Sequence, residues 1–517
     1  MSNRKKRILP HFFRGRVIVA FSIIIQITVL LWIIFSGANS SPYIAMAFNV
    51  LSLLISLVVV VRHTKDAYKL TWIYLILCFP VFGGLLYLVF SIQTSMRLME
   101  PFMKQIDEVT TAVTDNSDDC YRAALLSFPD NQKQINYLYN YAGFPICNNT
   151  ETEYYSTGEE FYPKLLEALK SAEKYIFLEY FIISEGRMWD SILDILTERA
   201  KNGVDIRIIY DDFGCIFQLP KKYPEKLAEL GIECRAFNRF RPILTGLQNN
   251  RDHRKICSVD GKIAFTGGIN IADEYINEIE KYGRWKDAAV KLTGDAAWAL
   301  TTIFLKNWIL TDSEHVPVDS IAELKPEKVQ QFDTNLKGFV QPYCDSPLDA
   351  DHVCEHVYSQ IIEQAKQYLY IMTPYLIIDN GMLTSLTLAA KSGVDVRIIT
   401  PHRWDKKFVH VTTRSFYREL IDGGVRIYEY TPGFIHSKIM VSDDKVASIG
   451  TANLDFRSLY LHFECGTMLY GSRAVMQAKE DFTSTVELSH EITKEQCRTG
   501  VFMRFINSIM RLFAPLL

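Results

Sequence analysis

The chain opens on long apolar runs and then changes to short alternating blocks. Val17 to Ser36 is predominantly apolar, Tyr43 to Val61 is a second such run, and Leu70 to Phe90 is a third, broken by Pro80, Gly83 and Gly84. A helix that crosses a bilayer needs about 20 apolar residues. The pattern predicts spans over 17–36 and 43–61. For 70–90 it predicts a full span or, as the favoured form, a broken hairpin, because freed backbone groups are tolerated at membrane depth where neighbouring helices satisfy them. Arg4, Lys5, Lys6, Arg7, Arg14 and Arg16 precede the first run, the link 37–42 carries no charge, and Arg62, Lys65 and Lys69 follow the second. Basic flanks stay on the cytoplasmic side, so the link is expected outside and the remainder of the chain inside, as Arg97 and Lys104 after the third run also favour.

Beyond the apolar region the chain repeats itself. Lys201-Asn-Gly-Val-Asp-Ile-Arg-Ile-Ile209 returns as Lys391-Ser-Gly-Val-Asp-Val-Arg-Ile-Ile399. Each copy follows a helical stretch (Trp189 to Ala200; Leu383 to Ala390), which itself follows an apolar strand (Tyr175 to Ile183; Tyr368 to Ile378). Strand, helix and strand in alternation predict an α/β layered domain. Runs such as Val204 to Tyr210 read as strands buried on both faces. Two copies in one chain predict a pseudo-two-fold pair with a site at the junction. At the C-terminus, Val501, Phe502, Phe505, Ile506, Ile509, Leu512 and Phe513 recur at helical spacing while Arg504 and Arg511 share another face. That pattern predicts an amphipathic helix, lying in a membrane interface or packed on the protein.

After the last strand of each repeat the same short constellation appears. His253-Arg-Lys255 is followed by Asp260 and Asn270, and His436-Ser-Lys438 by Asp443 and Asn453. Residues two apart on a strand share a face, so each His–Lys pair projects together. Asp260-Gly261 is a favoured hairpin turn, with Ser442 to Lys445 in the same position of the second copy. The returning strand is expected to bring Asn270 or Asn453 beside its pair. Two imidazoles, two ammonium groups and two amides then suit a phosphodiester. One neutral imidazole attacks phosphorus, and the other, protonated, serves the leaving alkoxide. The lysines and amides hold the equatorial oxygens as charge redistributes, which leaves no need for a metal or another cofactor.

Composition narrows the choice. The net charge of -3 offers no basic stripe for nucleic acid. The ten cysteines include no CxxC pair, so neither a zinc ribbon nor a redox dithiol is indicated. His352-Val-Cys-Glu-His356 matches a zinc-peptidase pattern, but it starts a helix leading into the second repeat and has no third ligand in evidence. Nothing in the sequence sets an oligomeric state.

The paired motifs resemble the HKD signature of the phospholipase D superfamily. The wider blocks, Asp260 to Tyr275, Trp285-Lys-Asp287, Thr373-Pro-Tyr375, Pro432 to Lys438 and Asn453 to Ser458, resemble those of bacterial cardiolipin synthases. The resemblance implies an α/β fold of two tandem phospholipase D-like layered domains in a pseudo-two-fold pair, preceded by N-terminal transmembrane helices. The expected divisions are a membrane region over 1–96, one domain over 97–330, a second over 331–498, and an amphipathic tail over 499–517. It implies a multi-pass membrane enzyme with its catalytic part on the cytoplasmic side, acting on phosphatidylglycerol and membrane phospholipids. Joining two phosphatidylglycerols gives cardiolipin and glycerol through a covalent phosphatidyl-histidine. The alternatives are another phospholipase D-type phosphatidyltransferase or hydrolase and, further off, a membrane-anchored nuclease. The implied catalytic set is His253, Lys255, Asp260, His436, Lys438 and Asp443, with His253 as nucleophile, His436 as acid and then base, and the two aspartates fixing local structure. Asn270 and Asn453 bind the phosphate, and Asp287 and Glu464 orient the histidines. Two departures stand out: His462 replaces a frequent Asn, and Thr451 stands where the first copy has Gly268.

Overall fold

The computed structural model describes residues 41–62, 64–79, 83–84, 86–88, 94–114, 117–240, 246–312, 321–327, 329–332, 338–349 and 351–516, with Thr28. The expected span over 17–36 lies outside these residues apart from Thr28, as do parts of 70–90. Among the described residues no helix is long and apolar enough to cross a membrane. The chain divides into two compact units, one of Met1–Leu98 with Phe240–Asn250 and Leu512–Leu517, the other of Met99–Arg239 with Arg251–Arg511.

In the first unit the second apolar run forms the helix Ser41–Val61. It buries Ser52, Ser56 and Val59 and exposes Val50, Leu53, Leu54, Leu57 and Val58. Val59 packs with Ile76 of the helix Asp66–Cys78 and with Tyr87. Water drives apolar side chains inward; here small polar residues face the neighbouring helix and the leucines face out.

The second unit holds two sheets built alike. The first takes its strands from β1 (Thr150–Tyr155), β2 (Tyr175–Tyr180), β3 (Asp205–Asp211), β4 (Glu233–Phe237), β5 (Lys255–Val259), β6 (Ile263–Gly267) and β8 (Ala289–Gly294), in the order β1-β8-β6-β5-β2-β3-β4. A short strand, β7 (Arg284–Lys286), precedes β8. The second half contributes β9 (Phe339–Asp345), β10 (Tyr368–Met372), β11 (Asp395–Pro401), β12 (Arg426–Tyr430), β13 (Gly433–Ile435), β14 (Ile439–Ser442), β15 (Val446–Gly450), β16 (Glu464–Tyr470) and β17 (Ser489–Glu491). Its sheet runs β9-β16-β15-β14-β10-β11-β12-β17, which repeats the first strand for strand and adds β17 at one edge. In each sheet the β2–β3–β4 or β10–β11–β12 ribbon is parallel and the HKD hairpin joins it antiparallel.

The residue pattern accounts for these elements. β2, β5, β14 and β16 are buried along their whole length, as continuous apolar strands covered on both faces must be. On the helix Arg187–Lys201, Trp189, Ile192 and Leu196 fall on one face and pack with Ile176, Leu178, Ile206 and Ile208. The helix ends where Gly203 takes a positive φ, as Gly393 does after the matching helix Asn380–Lys391. The helix Asp295–Asp312 packs on β2, β5, β6 and β8 and reaches β9 of the other half; the helix Arg473–Glu487 packs on β10, β14, β15 and β16 and reaches β1. Each half is thus clasped by the helix that follows the other half's last long strand.

Asp260 and Asp443 stand at the hairpin tips with positive φ, in backbone conformations that a tight turn requires. The Asp260 carboxylate accepts the backbone N–H groups of Glu173, Lys174 and Tyr175 at 2.8–2.9 Å. Asp443 does the same with Lys366, Gln367 and Tyr368 at 2.7–2.9 Å. Each ties the entry of a central parallel strand to its HKD hairpin. Because charge-assisted bonds are worth more than neutral ones, Asp260→Ala is expected to cost about 3 kcal/mol of stability. Urea unfolding of detergent-solubilised protein measures this, and an unchanged midpoint contradicts the anchoring role.

The C-terminal helix Val501–Leu512 has no buried residue among those described and exposes Val501, Phe502 and Phe505. Arg511 donates to Glu419 at 2.9 Å and lies over the Phe416 ring.

Candidate active site

His253 and His436 sit two and three residues before a buried strand of their own half, but their side chains are held by the other half. The strand β13 pairs in parallel with β7, and a matching bridge joins Asp252 to Phe463. The His436 backbone N–H donates to the Lys286 carbonyl at 2.7 Å, and that of His253 donates to the Phe463 carbonyl at 2.9 Å. The residue after each of those carbonyls is an acid, Asp287 in one case and Glu464 in the other. The His436 Nδ1–H donates to Asp287 Oδ2 at 2.6 Å, and the His253 Nδ1–H donates to Glu464 Oε1 at 2.9 Å. An ionised carboxylate only accepts, so both imidazoles carry their proton on Nδ1 and leave Nε2 with a lone pair.

The two acids are fully buried and fully ionised. Burial works against each charge, yet Lys438 and His436 hold the Asp287 carboxyl below its usual range. The imidazoles of His253 and His462 hold Glu464 further down. Both histidines are pushed the other way. Burial first, opposed in part by Glu464, takes His253 down to about 3. Burial and Lys438 take His436 down to about 4. In the free protein at neutral pH both rings are therefore neutral.

Lys255 and Lys438 are buried beside them, each Nζ donating to the carbonyl of its own motif histidine. Burial lowers Lys255 to about 8 and Lys438 to about 7. The field is shared across the halves. The charge of Lys255 helps to depress both His436 and Lys438, and Asp287 and Glu464 both act on Lys255. The two His–Lys pairs thus belong to one electrostatic site. The sign of a pH effect follows. Raising pH through about 7 to 8 strips charge from both lysines. kcat/KM is expected to fall over that alkaline range; a profile flat to about pH 9 contradicts cationic lysines in the free protein.

The asparagines differ. Asn270 accepts the Ile182 N–H at 3.0 Å and donates to the Tyr275 hydroxyl at 2.6 Å. The Tyr275 ring lies 5.6 Å from that of His436. Asn453 Oδ1 is buried and has no hydrogen-bond partner among the described residues. Asp260 and Asp443 lie at the far ends of their hairpin strands, seven residues beyond the histidines, or roughly 23 Å by strand rise.

Other residues complete the walls. Trp285 and Phe434 lie 5.4 and 6.1 Å from His436, and Phe181 lies 5.1 Å from His253. Tyr275 and Trp285 fall inside the sequence blocks quoted above, five residues after Asn270 and two before Asp287, and that nearness is the signal the sequence offers. A Cβ on Gly268 would stand 2.0 Å from Asp287 Oδ1, which explains glycine at that position. Thr451, its counterpart, instead donates its hydroxyl to Glu464 Oε2. The residues outside the site behave as structure. Arg207 and Arg397 pair with Asp205 and Asp395. His356 meets the Tyr137 hydroxyl and His352 lies against the Tyr460 ring, so the zinc-peptidase pattern is not gathered around one point among the described residues.

Comparison with known proteins follows the same lines. A family model described as cardiolipin synthase, PLD-like domain, matches residues 165–283 and 358–486. Another, phospholipase D-nuclease N-terminal, matches residues 50–91. The chain is 38% identical over 462 residues to an uncharacterized protein of Streptococcus mutans, covering 87% of this chain and 96% of that one. It is 33% identical over 513 residues to a cardiolipin synthase of Halalkalibacterium halodurans, covering 98% and 95%. Its fold resembles a phosphatidylserine synthase from Haemophilus influenzae, with a TM-score of 0.55 at 15% identity over 73% of this chain and 96% of that chain.

Proposed function

The chain belongs to the cardiolipin synthase family of PLD-like proteins, and from that premise we propose that it transfers a phosphatidyl group from one phosphatidylglycerol to another, giving cardiolipin and glycerol. The observation that carries the reading is the exchange of carboxylates, by which each half orients the other half's histidine. His253 Nε2, neutral and unprotonated, attacks the phosphorus of the first lipid. A phosphorus–nitrogen bond forms, the bond to the glycerol alkoxide breaks, and a proton passes from His436 to that alkoxide. His436 is neutral in the free site, so the bound phosphodiester anion, by offsetting Lys438, favours the proton that His436 must carry. His436 then takes the proton from a hydroxyl of the second lipid, whose oxygen displaces His253. One diester replaces another, so no nucleotide is consumed.

His253 is taken as the nucleophile on the family resemblance; each acid accepts one further hydrogen bond, Glu464 from Thr451 and Asp287 from Ala288. Lys255, Lys438, Asn270 and Asn453 hold the equatorial oxygens. Asp260 and Asp443 serve the fold. The proposed divisions remain a membrane region to about residue 96, two catalytic domains meeting near residue 330, and a tail from about residue 499. The outward leucines of Ser41–Val61, with serines turned inward, support lipid around that helix and a multi-pass membrane enzyme with its site on the cytoplasmic face.

Incubation of purified protein with labelled phosphatidylglycerol tests the reading. Cardiolipin and glycerol in equal amounts are expected, whereas phosphatidic acid alone points to a hydrolase and no turnover overturns both. Chelators are expected to leave turnover intact; complete loss rescued only by added metal contradicts the mechanism.

A further inference from the structure

Thr451, which stands where the first copy has Gly268, and His462 meet at one carboxylate. Thr451 occupies Glu464 Oε2 through its hydroxyl. His253 Nδ1 reaches both carboxylate oxygens, Oε1 at 2.9 Å and Oε2 at 3.0 Å, and His462 Nδ1 stands 3.7 Å from Oε1. The last distance is too long for a hydrogen bond, and His462 Nδ1 is buried without a hydrogen-bond partner. One ligand atom from each of His253, His462 and Glu464 lies within 4.8 Å of the others. Around tetrahedral zinc, with bonds of about 2.0–2.2 Å, ligand atoms stand about 3.3 Å apart. The two separations from Oε1 bracket that value. The Asp287 side has no such ligand, since Trp285 stands in the position of His462 and an indole N–H only donates.

We propose that His253, His462 and Glu464 form an inhibitory site for a transition-metal ion of the zinc type. Two imidazoles and one carboxylate suit zinc, cobalt or nickel and not magnesium or calcium, which prefer all-oxygen sites. Inhibition follows from the tautomer, and rests on His253 being the nucleophile. When the metal binds the Nδ1 lone pair of His253, the ring proton moves from Nδ1 to Nε2. No proton leaves the ring, but Nε2 no longer has a lone pair for phosphorus. His462 and Glu464 complete the set, and the fourth position is left for water.

Cobalt titration of the purified full-length protein reads the site directly, with zinc displacing cobalt. One cobalt per chain is expected, with visible d–d bands and without the near-ultraviolet thiolate band that any of the ten cysteines would give. His462→Asn and His462→Gln are each expected to weaken binding at least about tenfold by removing one of three ligands. Zinc is expected to stop cardiolipin formation by the unaltered protein, with excess chelator restoring it. Absent bands, thiolate bands, or affinities unchanged in both variants overturn the site. A protein that makes cardiolipin but takes up no cobalt loses the metal site and keeps the transfer reading. One that binds cobalt through these residues without turnover keeps the site and loses that reading.

Discussion

Replacing either His253 or His436 with alanine is expected to reduce cardiolipin formation by at least about 10⁴-fold, because a nucleophile and its acid–base partner act as one unit. Neither loss is expected to be repaired by the other histidine. Each ring is fixed by a carboxylate from the opposite half, at 2.9 Å for His253 and 2.6 Å for His436, so neither is free to swing into the other's place. The two variants should differ in stability although they share inactivity. Removing His253 leaves Glu464 with the Thr451 hydroxyl at 2.5 Å and with His462 nearby. Removing His436 leaves Asp287 with the Ala288 backbone N–H at 2.8 Å and the field of Lys438. A buried charge stripped of its partner costs several kcal/mol, so His436→Ala is expected to melt below His253→Ala. Turnover assays and thermal unfolding read the two effects. Substantial turnover in either variant rules out the two-histidine mechanism.

The second large effect concerns the carboxylates. Glu464→Gln and Asp287→Asn are each expected to lower kcat by about 10² to 10⁴-fold with little change in fold. An amide can donate to Nδ1, which stabilises the tautomer protonated on Nε2. At His253 that removes the attacking lone pair. At His436 it leaves a neutral ring with no carboxylate to support its positive form. The two losses therefore fall at different points. Glu464→Gln should abolish formation of the intermediate, while Asp287→Asn should slow both its formation and its consumption. Single-turnover measurement with labelled donor separates them, and equal, small losses in both variants contradict a role for the exchanged acids.

That exchange was not legible in the chain. The His–Lys pairs, their Asp-containing hairpin tips and the following asparagines repeat at fixed spacing, and spacing along a strand decides which side chains project together. The layered α/β fold was legible for the same reason, from buried strands such as Tyr175–Tyr180 alternating with helices such as Arg187–Lys201. Asp287 and Glu464 could be matched as acids, but which histidine each one serves is set by β7 pairing with β13 and by Asp252 meeting Phe463. Those contacts join residues more than a hundred positions apart and leave no local period. Nor does the repeat reveal that Thr451 and His462, read separately as departures, bear on the same carboxylate. The apolar runs near the N-terminus show composition clearly. Which face of Ser41–Val61 turns outward depends on how Ser52, Ser56 and Val59 pack, and only the folded helices display it.

Everything rests on a phosphorus–nitrogen bond forming at one of two opposed imidazoles. The most direct measurement is mass spectrometry of peptides from the unaltered protein during turnover of phosphatidylglycerol, quenched under alkaline conditions that preserve phosphohistidine, with His253→Ala as the control. The mass of a phosphatidyl group is expected on the peptide containing His253 and on no other. Label on a different residue, or an unmodified His253 in unaltered protein that is actively making cardiolipin when quenched, would contradict it.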